Sequence, residues 1–134
     1  MILGLGVDEI GLERIGRSYE RFGDRFLSHC YTDAERAFCF RQRDPVPRLA
    51  ARYAAKEAAS KALGTGLARG IVWREIEVRR EPGHKPTLHL HGRARERAEA
   101  MGVIRMHVSL THCRRHAAAT VVMEGASERR LSSP

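Results

Sequence analysis

Arg52-Tyr-Ala-Ala-Lys-Glu57-Ala-Ala-Ser-Lys61-Ala-Leu-Gly-Thr-Gly66 is the stretch on which the reading of this chain turns. Its alanines favour a helix, and Gly64, free to take positive φ, suits the helix end. At ~100° per residue, Ala50, Ala54, Glu57 and Lys61 share one narrow face, with Leu49 and Tyr53 to one side and able to serve a core. Alanine at 50 and 54 lets another backbone come close, while Glu57 and Lys61 project from the same stripe. The plainer reading is an exposed i,i+4 Glu–Lys pair worth only ~0.3–0.5 kcal/mol. The Gly-Thr-Gly that follows counts against it, because such a loop can turn backbone N–H groups toward an anion.

Upstream, Met1-Ile-Leu-Gly-Leu-Gly-Val-Asp8 begins as a short apolar run. Residues 2–7 read as a buried strand with Asp8 at its end. A carboxylate at a strand end, a second on a helix and a lysine one turn further on are the parts needed to hold a hard cation against a phosphate. The plainer role for Asp8 is to cap the helix after it. Gly4 and Gly6 allow tight packing or close approach of a ligand, but the spacing is not a dinucleotide fingerprint. Residues 11–29 read as helical with a break at Gly23. Arg14, Arg17, Arg21 and Arg25 line one face of that helix if the glycine does not reset the phase. Ile15, Tyr19, Phe22 and Phe26 fall on the neighbouring face at core spacing. Thr32-Asp-Ala-Glu35 matches a capping box and starts another helix. A polar, proline-bearing loop at 41–47 precedes the long helix.

Downstream the period changes. Ile76 and Val78, then Leu88 and Leu90, alternate with polar neighbours across a proline- and glycine-bearing loop, a hairpin signal. Residues 92–101 read as a short helix ending at Gly102, and residues 104–110 and 117–123 as the last two strands. In His107-Val-Ser109-Leu-Thr111-His112, Ser109 and Thr111 share one strand face and His112 points the other way. Hydroxyls and an imidazole could grip a phosphate. A Ser–His hydrolase competes, but no Gly-x-Ser-x-Gly elbow is present. Polar residues on a water-facing edge strand are the plainer account.

The chain of 134 residues suits one domain, 1–124, followed by a tail, 125–134, with too little apolar surface to order itself. The order strand, helices, then a mostly antiparallel sheet carrying a short helix is an α+β fold. No apolar run reaches the ~20 residues of a membrane span, and the N-terminus lacks the pattern of a signal peptide, so a cytoplasmic location is expected. Cys30, Cys39 and Cys113 are odd in number, lack metal-type spacing and read as reduced thiols. The net charge of +8 and pI near 10.2 call for an acidic partner: nucleic acid, an anionic protein surface or a polyphosphate.

Three segments together resemble the holo-[acyl-carrier-protein] synthases, the small trimeric type of 4′-phosphopantetheinyl transferase. Gly4-Leu-Gly-Val-Asp8 resembles their first motif, Arg52 to Gly66 their central one, and Ser109-Leu-Thr-His112 with the apolar run after it their last. The similarity covers roughly residues 1–124, in order and at family-like spacing.

The resemblance implies a compact phosphopantetheinyl transferase-like subunit working as a homotrimer, with active sites between adjacent subunits. It implies Mg²⁺, coenzyme A and an apo acyl carrier protein, with lipid metabolism as the setting and the carrier one of fatty acid biosynthesis or of polyketide synthesis. It implies Asp8 and Glu57 as metal ligands, and Glu57 and Lys61 as the groups closest to the chemistry, Lys61 neutralising charge on the diphosphate. Arg52, Lys61, Gly64, Thr65, Gly66, Ser109, Thr111 and His112 would line the coenzyme A site. Arg14, Arg17 and Arg21 would meet the acidic helix of the carrier protein. Ile10 stands where larger relatives carry a third carboxylate, which leaves the general base open between Glu57 and a metal-bound water near it.

Two other classes compete. A basic domain binding RNA or DNA through the arginine stripe explains the charge but leaves Asp8, Glu57 and Lys61 without a purpose. The 6% aromatic content also argues against single-strand stacking. A different Mg²⁺-dependent phosphotransferase or nucleotide hydrolase would keep the site and change the acceptor.

Overall fold

The computed structural model describes residues 1–67 and 70–127. Around one buried helix run strand β1 (Ile2–Gly11), helices α1 (Leu12–Phe22), α2 (Asp24–Cys30), α3 (Asp33–Cys39) and α4 (Val46–Ala62), strands β2 (Ile76–Arg79) and β3 (Thr87–Leu90), helix α5 (Gly92–Met101), and strands β4 (Arg105–His112) and β5 (His116–Glu124). A single 3-10 turn, Trp73–Glu75, leads into β2. The strands form two antiparallel sheets, β1-β5-β4 and the β2-β3 hairpin, so the α+β expectation stands.

Helix α4 is the centre of the core. Ala50, Ala51, Ala54, Ala55, Ala58, Ala59 and Ala62 are all buried, so the helix is enclosed nearly all round rather than along one stripe. The three-stranded sheet packs on one flank. There a Cβ at Gly4 would land on the carbonyl oxygen of Ala62, and one at Gly6 on that of Ala58. The two glycines therefore serve strand-to-helix contact and leave no room for a ligand at that point. Leu49, Leu63, Ile15, Tyr31, Val121 and Met123 are among the larger side chains of the same core.

Several expectations need correction. The first strand runs on to Gly11, so Asp8 lies inside it, and α1 is capped by Gly11 rather than by an aspartate. Nor is the strand buried: Leu5 is 61% exposed, Val7 56% and Ile2 65%. It is an edge strand whose outer face no described element covers. Gly23, with φ of 51°, does reset the helical phase, so Arg25 belongs to a separate helix and leaves the stripe. Phe22 is exposed beneath the Arg21 guanidinium, 5.1 Å from the ring centroid, instead of packing in the core. The capping box at Thr32–Glu35 and the stop at Gly64 form as expected. Gly125 is paired with Met1 by backbone hydrogen bonds, and the remainder of the anticipated tail, Glu128–Pro134, lies outside the described residues.

Candidate active site

Strand β1 and helix α4 bring Asp8 and Lys61 together because the Gly4–Gly6 segment lies directly on Ala58 and Ala62. The Lys61 ammonium donates to Asp8 Oδ1 at 2.9 Å and to the Val7 carbonyl at 3.2 Å. That bond raises the Lys61 pKa. Glu57, one turn earlier, is held above the usual carboxylate range by partial burial and then by the Asp8 charge, against the pull of Lys61 and Arg14. Two carboxylates that repel each other beside a lysine form a hard-oxygen donor set of the kind that takes a divalent cation. Among the described residues no larger group of His, Cys, Asp and Glu side chains is placed to hold a metal ion. Two carboxylates leave most of a Mg²⁺ shell to water and substrate oxygens, which is how that ion is commonly held.

Tyr53 sits at the margin of this cluster. Its ring stacks on Trp73 with centroids 4.3 Å apart, and its phenol is pushed to about 12 by burial and then by the Glu57 charge.

A second polar region lies elsewhere on α4. Arg52 is five residues before Glu57, about 140° away around the helix axis. Its guanidinium is buried 4.1 Å from the Phe38 ring centroid, and the Arg48 guanidinium lies at the same distance from that ring. The Arg52 Nε is buried without a hydrogen-bond partner. Such an orphaned donor costs ~1–3 kcal/mol unless an acceptor arrives. It belongs to a cavity of about 540 Å³ lined by Arg43, Arg48, Arg52, Arg80, Thr111 and His112 among others, with Asp44 as its one acid. The cavity is built for an anion.

The remaining predicted residues distribute as follows. His112 and Thr111 reach this cationic cavity. Ser109 is exposed on the outer face of the sheet, opposite the face on which Asp8 meets α4. Gly64, Thr65 and Gly66 do not offer their amides to a ligand. Gly64 N–H donates to the Lys61 carbonyl and those of Thr65 and Gly66 to Ser60, which satisfies the end of α4. Arg14, Arg17 and Arg21 share an exposed hollow on α1 with Phe22.

Sequence reasoning missed Lys56, whose side chain is wholly buried and pairs with Glu35 at 2.6 Å. It also overlooked Arg48 and Phe38. The available signal was Arg48 and Arg52 at i,i+4, which places two cations on one face.

Comparison with known proteins identifies the family and the fold. The sequence model of the 4′-phosphopantetheinyl transferase superfamily matches residues 4–121. A holo-[acyl-carrier-protein] synthase of Koribacter versatilis is 48% identical over 124 residues, covering 92% of this chain and 99% of the relative. The crystal structure of holo-[acyl-carrier-protein] synthase from Neisseria meningitidis superposes with a TM-score of 0.84 at 33% identity, covering 92% of this chain and 99% of that one. A holo-(acyl-carrier-protein) synthase from Bacillus anthracis, solved in complex with CoA (3′,5′-ADP), gives 0.77 at 34% identity over 94% of this chain and 99% of that one. With this fold and a family model matching residues 4–121, the chain belongs to the 4′-phosphopantetheinyl transferase superfamily.

Proposed function

We propose that this chain transfers 4′-phosphopantetheine from coenzyme A to a serine of an apo acyl carrier protein, releasing adenosine 3′,5′-bisphosphate. The Asp8–Glu57–Lys61 cluster carries the reading. The serine oxygen bonds to the β-phosphorus as the bond to the bridging diphosphate oxygen breaks, and the bisphosphate leaves with that oxygen. Such a step needs in-line placement and charge neutralisation more than covalent help. Asp8 and Glu57 would hold Mg²⁺, which when bound supplies positive charge to the diphosphate. Lys61 adds a further cation on the leaving side. The serine proton passes to Glu57 or to a water held near it.

The cationic cavity takes the remaining phosphate. Arg52, with its unpaired Nε, and His112 supply donors there, beside Thr111. Gly64, Thr65 and Gly66 shape the backbone at the end of α4 that carries Lys61, and Ser109 lies toward the neighbouring subunit. Arg14, Arg17 and Arg21 receive the acidic carrier protein. The exposed Leu5 and Val7 suit burial in a homotrimer, with each site completed between subunits. No described helix is long and apolar enough to cross a membrane, and we place the enzyme in the cytoplasm, as one domain over 1–124.

The test is direct. With Mg²⁺ and coenzyme A, an apo acyl carrier protein gains the mass of one phosphopantetheine on its serine. Release of nucleotide without a modified protein would favour a hydrolase, and tight RNA binding without transfer would favour the nucleic-acid reading.

A further inference from the structure

We infer that Lys56 is a positioning residue for Glu57: its buried ammonium sets the rotation of α4 about its own axis and so aims the Glu57 carboxylate toward Asp8. This rests on the transferase reading for its activity readout. Lys56 has no exposed surface, so it touches no substrate. Its three donors are all used: Glu35 Oε1 at 2.6 Å, the Trp73 carbonyl at 3.1 Å and the Ile76 carbonyl. The acceptors come from α3, the 3-10 turn and β2, three separate elements. Glu35 is itself fixed, accepting from the backbone N–H groups of Thr32 and Val78 at 3.0 and 2.9 Å.

An alanine helix needs such a clamp. Methyl side chains make shallow ridges, so neighbouring elements resist rotation of the helix weakly. At a surface ~5–6 Å from the axis, a rotation of about 20° moves a side-chain tip by roughly 2 Å. A misplacement of ~1 Å can cost about 100-fold in rate. Glu57 is the next residue, so any rotation Lys56 permits is passed straight to it. A second route leads the same way. Lys56 holds the Trp73 carbonyl, the Trp73 ring stacks on Tyr53, and Tyr53 lies one turn before Glu57.

The experiment compares wild type with Lys56→Met combined with Glu35→Gln, which removes both charges and strands neither. Three quantities are read: kcat and KM for coenzyme A, Mn²⁺ affinity by electron paramagnetic resonance, and a circular dichroism melt as the check on folding. The double variant should fold, lose about 30–100-fold in kcat with KM within about threefold, and bind Mn²⁺ at least about fivefold more weakly. A folded double variant with wild-type kcat and Mn²⁺ affinity overturns the inference, as does a rise in KM at constant kcat. If the double variant does not fold, Lys56→Arg decides. It keeps the charge opposite Glu35, but its planar fork cannot reach the same pair of carbonyls. A folded Lys56→Arg protein should lose about tenfold in kcat, and wild-type turnover there refutes the role. Wild-type protein that modifies no carrier protein would instead sink the transferase reading, while the Mn²⁺ comparison still judges Lys56.

Discussion

Two lysines five residues apart on α4 meet carboxylates in opposite surroundings. Lys56 pairs with Glu35 at 2.6 Å, both side chains wholly buried. Lys61 pairs with Asp8 at 2.9 Å, with the lysine side chain 50% exposed and the aspartate 14%. The chemistry of the two pairs is the same. In the first, burial lowers the lysine pKa against the pull of Glu35, and every donor is already taken. In the second the hydrogen bond to Asp8 raises it, and the ammonium stays in reach of water. A charge locked in the dry interior can only organise, while a charge left wet can exchange its partner for a ligand. Environment separates architecture from site on a single helix.

The largest effect is expected from breaking the buried pair on one side. Lys56→Ala leaves Glu35 buried among α3, α4 and β2 with two backbone hydrogen bonds but no counter-charge, which should cost ~3–5 kcal/mol, as seen in urea unfolding. A loss under about 1 kcal/mol would mean that water reaches Glu35, and the contrast between the pairs would fail.

Glu77 occupies middle ground and sharpens the comparison. It is buried, yet its partners Arg79 and His91 stand half in solvent. Burial, the largest single influence, pushes its pKa up, but hydrogen bonds from Thr32, His91 and Arg79 together hold it at about 2. A depressed carboxylate contributes stability that is fully present above its ordinary pKa of 4.5 and drains away as pH falls toward 2. Glu77→Gln should therefore cost on the order of 2 kcal/mol at neutral pH and flatten the decline of unfolding free energy over that acid window. Parallel stability–pH curves for variant and wild type would show that the bonds to Glu77 give no net stabilisation.

How far the sequence could be read follows the same division. Local signals survived: the capping box at Thr32–Glu35, the stop at Gly64, the hairpin around Ile76 and Leu90, and the left-handed Gly102 closing α5. Each is decided by neighbours in the chain. Residue types suggested that Asp8, Glu57 and Lys61 serve one site, and the motif resemblance strengthened it, but the direct bond from Lys61 to Asp8 joins residues 53 apart and no local pattern marks it. What could not be read depends on which surfaces are covered. An apolar run such as Ile2–Val7 has the same pattern whether its outer face is buried or bare. Lys56 looked like any helical lysine, because its burial comes from elements packed around α4 and not from its own neighbours. The amides of Gly-Thr-Gly looked free for an anion, although the carbonyls at the end of α4 had the prior claim.

The smallest expected change in stability comes from the wet pair, and it is the sharpest test of the contrast. Lys61→Met removes the bond to Asp8 but leaves the aspartate near solvent, able to recover its hydration. Exposed ion pairs give little net stabilisation, so the thermal midpoint should match wild type. Transfer to the carrier protein should fall about 100–1,000-fold, because a preorganised cation facing charge that develops on the leaving bisphosphate acts mainly in the transition state. The loss belongs in kcat more than in KM for coenzyme A. A variant that melts well below wild type would make Lys61 a structural residue like Lys56. One that melts normally and turns over normally would remove Lys61 from the chemistry and leave Asp8 and Glu57 to carry the site.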